Sequence, residues 1–442
     1  MTDDSNLSEL VLDNGALLDM RADKNKFSLL QTDKLAGGNG HVYMDINASK
    51  NIANSDRIYI GEHYGTHYIH LNNIGSNDSG AAGTVLVSVK DEQGEFKAPD
   101  TEGNLYWNKY ELARKDESIA AGYNTDWYLK EQIKTVPEVK PTTSVDTILA
   151  VNSLNYHTWR TENDKLMQRM GELRNNGDSE QGAWLRVHGS KIGRDGSFGF
   201  ENKYTVYQLG YDFAVAKSND LMRYQGVALG YTDGSSSYAN GSGDNDSKSI
   251  SVYSTDIYDS GHYLDLVLKM SSMDNDFKVY DTNGRKITGD FDNTGIALSV
   301  EYGRKNNLEN GWYIEPQAQL TLGYMDGADY TSSNGIKVDQ SSIKSIVGRL
   351  GFNIGREIGD KGVIYAKANL MHEFGGGYDV NMDDAHDRLN YDDDFDDTWF
   401  EYGFGAVFAA GKNSHIYFDV ERSSGSDFYK DWQWNAGMRW TF

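Results

Sequence analysis

The sequence predicts an all-β fold: an antiparallel, membrane-spanning β-barrel of about twelve strands, with a helix ahead of it and a second β unit ahead of that. Three observations carry this. Between Gln181 and Phe442 apolar and polar residues alternate with period two, about twelve times over. Successive side chains of an extended chain point to opposite faces, so each run is a strand with one greasy and one polar side. The connections between the runs alternate between long and short, as expected of a barrel with loops on one side of a membrane and tight turns on the other. Finally, no run of ~18 apolar residues exists, which excludes a spanning helix and leaves spanning by strands.

Composition points the same way. The 442 residues include 47 Gly and 4 Pro, and only 38% are hydrophobic, a balance suited to many strands with one wet face. The formal net charge of −24 argues against nucleic acid as a partner, since a polyanion would be repelled. With no cysteine, neither a disulfide framework nor a thiolate metal site can form. Met1 to Asn6 lack a charged start followed by an apolar stretch, so an export signal is expected upstream.

Residues 1–130 hold short apolar pieces, Leu10 to Leu12, Arg57 to Ile60, His67 to Leu71 and Thr84 to Val89, separated by Asn-Gly, Gly-Gly and Asn-Asp turn signals. They read as an irregular all-β unit with short rungs. From Glu131 to Thr143 the composition shifts to Lys, Glu, Pro and Thr, and Pro137 and Pro141 prevent regular pairing, so a linker is expected. Residues 144–175 are predicted as one helix of ~30 residues, ~45 Å long. Asn152, Asn155, Arg160, Glu162, Asp164, Lys165, Gln168 and Arg169 make it polar nearly all round, so it belongs in a polar lumen or in solvent.

The final strand shows the barrel pattern most clearly. Trp432, Trp434, Ala436, Met438, Trp440 and Phe442 share one face, and Gln433, Asn435, Gly437, Arg439 and Thr441 the other. A soluble sandwich would turn the apolar face inward, a membrane barrel outward. Aromatic residues near the ends of apolar faces, Trp312 and Tyr324 on one strand and Phe400 and Phe408 on another, look like interfacial girdles and favour the barrel. Long connections are expected at 233–248, 276–289, 326–342 and 375–396, and short ones at 259–262, 359–362 and 411–413.

Met167-Gln-Arg-Met-Gly-Glu-Leu-Arg174 followed by Gly182-Ala-Trp-Leu-Arg186 resembles the helix-to-barrel junction of autotransporters of the pertactin type. Asp259 to Asp265, Asn275 to Val279, Gly311 to Leu320 and Gly348 to Phe352 add further matches in the same order. Phe442 resembles the terminal signal read by the outer-membrane barrel assembly machinery. Upstream, Asn54 to Ile58, Tyr110 to Leu112 and Asp126 to Leu129 look like the end of a β-helical passenger, the region that helps a passenger fold. The resemblance covers nearly the whole chain. It implies a translocator (residues 181–442) in the outer membrane of a Gram-negative bacterium, a plug helix threading its lumen, and a β-solenoid-like passenger end (residues 1–130) at the cell surface. It also implies periplasmic chaperones, membrane lipid and lipopolysaccharide, and the protein's own passenger, an adhesin or virulence factor, as partners of a monomer.

Parity places Asp265, Glu301, Glu315, Glu373, Glu401, Asp419 and Glu421, with Arg186, Arg349, Lys367 and Arg439, on the lumen side. The simplest use of these groups is to pair with one another and with Arg169 and Arg174, seating the helix. The alternative is intramolecular cleavage. Related autotransporters cut at a lumenal asparagine activated by lumen acids, and Asp265 resembles the position of such an acid. The paired asparagines of that subfamily are replaced by Asp164 and Lys165, which leaves Asn163 as the nearby candidate nucleophile. The acid-rich stretch 383–397 could attract Ca²⁺ but lacks the spacing of a calcium loop, so a solvated loop is expected and no metal site or cofactor. No hydrolase or phosphate-loop motif is present; the competing readings are an outer-membrane hydrolase built on loop acids and histidines, and a porin-like channel.

Overall fold

The computed structural model describes residues 4–442 apart from 22–25, 48–54, 75–81, 164, 172, 174–179 and 219; the upstream motif residue Asn54 thus lies outside the described residues. Two compact units divide the chain, residues 1–145 with 383–389 and residues 146–382 with 390–442.

The first unit stacks parallel strands. Ser5–Val11, Leu29–Ala36, the first half of Arg57–Asn73 and Val85–Lys97 form one row. Leu17–Asp19, Gly40–Ile46 and the second half of Arg57–Asn73 form another. In-register residues share a face, so Leu30, Ile58 and Val87 stack in the interior, as do Leu18, Val42 and Ile69. Each rung bends between the two rows, and there the backbones of successive rungs almost touch. At Gly65 (φ 92°) a Cβ would collide with the carbonyl of Gly37 below it, so only glycine turns this corner. The stack ends in an antiparallel pairing: Thr125–Thr135 lies against both Val85–Val89 and Trp107–Lys115. Because that strand runs to Thr135, the linker expected from Glu131 starts too early; Pro137, not the change in charge, ends the pairing.

The second unit contains two helices, α1 (Thr143–Thr161) and α2 (Leu166–Met170). Its twelve long strands are β1 (Gln181–Arg194), β2 (Phe200–Lys217), β3 (Leu221–Tyr238), β4 (Gly241–Tyr258), β5 (His262–Tyr280) and β6 (Lys286–Arg304). They continue with β7 (Trp312–Met325), β8 (Ile343–Glu357), β9 (Gly362–Glu373), β10 (Asp397–Gly411), β11 (Ser414–Ser424) and β12 (Phe428–Thr441). Each pairs antiparallel with its neighbours in sequence, and β1 pairs with β12, closing the sheet. The faces point as a membrane barrel requires: in β8 Leu350 is 65% exposed while Arg349 beside it is 2% exposed. Trp312, Tyr324, Phe400 and Phe408 are all on the outside.

Two expectations need correction. Residues 233–248 and 276–289 are not loops: β3 and β4 run on and turn at 239–240, and β5 and β6 turn at 281–285. A strand needs only about ten residues to cross the hydrocarbon, whereas β5 has 19, and its outer residues Asp274, Asp276 and Lys278 lie beyond the apolar band. Ladder hydrogen bonds hold this extension, which is polar on its outer face and buries Met273, Phe277 and Val279 on its inner one. The expected single helix over 144–175 is also broken, with Lys165 extended (φ −83°, ψ 150°) between α1 and α2.

Inward tyrosines brace the wall. Tyr263, Tyr313, Tyr365 and Tyr417 each lie directly across from a glycine on the next strand, Gly303, Gly355, Gly405 and Gly437. A side chain at any of these glycines would occupy the tyrosine ring.

Acid should weaken the first unit. His63 bonds Glu92 at 2.6 Å and His67 at 3.0 Å, and Trp127 donates to Glu92 at 2.6 Å, a polar chain buried inside the stack. Burial, aided by His63, holds His67 down to about 4; burial, His41 and Arg21 hold His70 down to about 4. An unfolded histidine titrates near 6.5, so folding excludes these protons and stability falls as pH drops from about 6.5 to about 4. Asp56 opposes this: burial pushes it up to about 6, so its protonation adds stability below that pH. Two imidazoles against one carboxyl leave a net acid loss. The urea midpoint of this unit, read by pulse proteolysis of the whole chain, is expected to fall between pH 7 and 4.5, and to fall less in His67→Gln; equal midpoints would contradict the assignment.

Candidate functional site

Every α1 residue from Ser144 to Arg160 is buried except the half-buried Asp146, and the contacts run around the full barrel. Asn155 bonds Asn293 of β6, Tyr156 bonds Ser345 of β8 and Glu373 of β9, and Thr158 bonds Asn202 of β2. Glu162 accepts from Thr232 of β3, Ser247 of β4 and Lys269 of β5. A segment touching strands on every side lies in the lumen. Its first turn sits at the end carrying the β1–β2 connection, where Asp146 accepts the Phe198 N–H at 2.8 Å. Its last residues lie at the other end, where Tyr417 donates to the Arg169 carbonyl at 2.6 Å and His415 lies 3.5 Å from the Met170 carbonyl.

The helix breaks where the wall carries its densest charge. Lys165 reaches Glu401 and Glu421, both at 2.7 Å. Glu421 also binds Lys367 and Lys430, and Lys367 binds Asp419, so three acids and three bases share one network. Glu301 accepts the Leu166 N–H at 3.0 Å, serving the otherwise unpaired start of α2. Arg169 donates to both oxygens of Asp265, at 2.8 and 3.0 Å, and lies over the Tyr253 ring. Arg160 rests on the Trp399 and Phe428 rings, 3.9 Å from Glu373.

The residues expected to hold the helix therefore divide. Arg169, Glu301, Glu373 and Asp419, which accepts from Gln168, bond the helical segment. Arg349 and Arg439 do not take their ion pairs from it: Arg349 pairs with Glu301 at 3.0 Å and Arg439 forms a two-toothed pair with Asp212, strand to strand. Each reaches over one intervening strand along the wall rather than across the lumen. Arg186 bonds Asn435, Gln208 and His188, and Glu315 accepts from Gln317, also on the wall. Arg174 and Asp164 lie outside the described residues. Asn163 and Asp265, the cleavage candidates, have different surroundings. Asn163 lines a cavity of about 50 Å³ beside the helix break, whereas Asp265 is taken up by Arg169 and the Thr255 hydroxyl. Phe442 bonds Gln181 through its N–H and points its ring outward. Sequence reasoning overlooked Asp212, inward by the alternation of its own strand, and Lys430, which a β-bulge at Asp431 turns inward against the parity of Trp432 and Gln433.

Plug and wall complement each other in charge. Among the described residues the lumen face of the wall buries eight acids, Asp212, Asp265, Glu301, Glu315, Glu373, Glu401, Asp419 and Glu421, and six bases, Arg186, Lys269, Arg349, Lys367, Lys430 and Arg439. Among its described residues from Arg160 to Met170 the helical segment supplies Arg160, Lys165 and Arg169 against Glu162, with the half-buried Asp146 apart at its first turn. The wall's excess of two negative charges thus meets an excess of two positive ones. Removing one partner strands a buried charge, which costs about 3 kcal/mol or more. Lys165→Met should therefore raise amide exchange across residues 166–170 about a hundredfold; unchanged exchange would show that Lys165 does not seat the segment.

The comparisons with known proteins agree with this architecture. Residues 183–421 match the family model described as Autotransporter beta-domain. The chain is 28% identical to the pertactin autotransporter of Bordetella bronchiseptica over 490 aligned positions, covering 100% of this chain and 52% of that protein. It is 30% identical to the BrkA autotransporter of Bordetella pertussis, over 64% of this chain and 28% of that one. It thus spans about half, or less, of the length of these relatives. The translocator domain of autotransporter NalP from Neisseria meningitidis shares the fold, with a TM-score of 0.53 at 13% identity, over 67% of this chain and 99% of that one. The chain belongs to the autotransporter β-domain family, and its barrel is an outer-membrane protein of the Gram-negative type.

Proposed function

We propose that the barrel carries its own N-terminal passenger through the outer membrane and then holds it at the surface, with the helical segment left in the lumen as the plug. The observation that carries this is the path of the chain: both barrel termini lie at the end with short turns, while α1 begins at the end with long hairpins. Short turns face the periplasm in outer-membrane barrels, so the chain ahead of α1 leaves outward. In this reading residues 1–130 are the end of a β-solenoid passenger with an autochaperone role, 131–143 a linker, 144–175 the plug and 181–442 the translocator. Phe442 would be read by the barrel assembly machinery, with periplasmic chaperones keeping the chain unfolded on the way. An adhesin-like passenger needs no catalytic site here. Folding outside would bias transport without ATP, since a folded stack cannot slide back.

Self-cleavage at Asn163 is the finer alternative; the engagement of Asp265 with Arg169 favours a seating role for that carboxylate instead. Trp127 and Leu129 lie in the core of the first unit. Trp127→Ser or Leu129→Asn should lower protease-accessible display on intact cells several-fold while the barrel still inserts, judged by its heat-modifiable migration. Normal display in both variants would refute the autochaperone role. Sizing the membrane-retained fragment in the same cells would expose a cut at Asn163.

A further inference from the structure

We propose that the lumen conducts small cations in preference to anions whenever the helical segment is unseated, and that Arg160, Lys165 and Arg169 both hold the segment and mask this selectivity. The inference rests on the translocator reading above, because it assigns the segment a seated and an unseated state.

The argument begins with the imbalance of the wall. With the segment in place every excess acid has a cation from the plug: Lys165 on Glu401 and Glu421, Arg169 on Asp265, and Arg160 beside Glu373. With it gone, Glu401 and Glu421 retain Lys430, and Glu421 also Lys367, but Asp265 loses the one basic partner it has among the described residues. The wall then carries two more negative than positive charges on an aqueous path. A closed barrel of eight strands is filled by its own side chains, whereas twelve leave room once the helix departs. Charge of one sign on a narrow low-dielectric wall concentrates counterions and repels co-ions. A small water-sized opening exists already, as the cavity of about 50 Å³ at the helix break, lined by Gln319, Thr321 and Gln433 as well as the charged groups.

The test uses the whole chain in planar bilayers across a tenfold KCl gradient. Unchanged protein should open rarely. Arg160→Gln/Lys165→Gln/Arg169→Gln should open often, with potassium favoured over chloride by about threefold or more. Adding Asp265→Asn, Glu401→Gln and Glu421→Gln should bring that ratio close to one. Lys165→Gln alone is measured beside them, with heat-modifiable migration as the check of folding, and should open more often than the unchanged protein with the same preference. Openings that favour chloride or neither ion would overturn the proposal, as would a folded Lys165→Gln protein that opens no more often than the parent. Surface display is scored in parallel. Lost selectivity with intact display sinks only this inference, whereas lost display in a folded, unchanged barrel sinks the translocator reading itself.

Discussion

Lipid offers a backbone no hydrogen-bond partners, and the rest of this structure follows from that constraint. Each strand that crosses must pair on both edges, so the sheet closes β1 on β12 and leaves no edge to the hydrocarbon. Closure fixes an inside and an outside, and between β-bulges period-two alternation then assigns each residue to one of them. Leu350 goes to lipid and Arg349 to the lumen, with no freedom to exchange places short of slipping the whole strand by one residue.

A polar interior creates a second problem, since charges in a confined lumen need partners. The wall meets part of the demand strand to strand, as in Arg439 with Asp212 and Arg349 with Glu301. The remainder is met by the chain itself passing through. Lys165 leaves the helix to reach Glu401 and Glu421, which trades helical hydrogen bonds for two short ion pairs. The Tyr-over-Gly pairs meet a different demand, filling the wall beside each glycine so that the barrel does not collapse around its plug.

How much of this could be read from sequence depended on range. Alternation is local, so the barrel, the outward aromatics at Trp312 and Tyr324 and the inward acids were legible residue by residue. The helix break was not, because it is set by carboxylates 236 and 256 positions further along the chain, while the local composition of 144–175 favours an unbroken helix. The loop expectation at 233–248 failed for a related reason. Ser, Asn, Gly and Asp there signal turns by composition, but cross-strand pairing beyond the membrane overrides that preference. Gly65 shows the opposite case: a single residue type whose necessity is visible only once the rung beneath it, at Gly37, is in place.

The direction in which the strands face is tested most directly by their tryptophans. Trp312, Trp432 and Trp440 are about 40% exposed on the outside, while Trp159, Trp184 and Trp399 are 3% exposed or less within the barrel. Single-tryptophan variants reconstituted into vesicles containing brominated lipid should show strong quenching for the first three and almost none for the second. Quenching of Trp184 or Trp399 with sparing of Trp312 and Trp440 would invert the barrel and contradict the account.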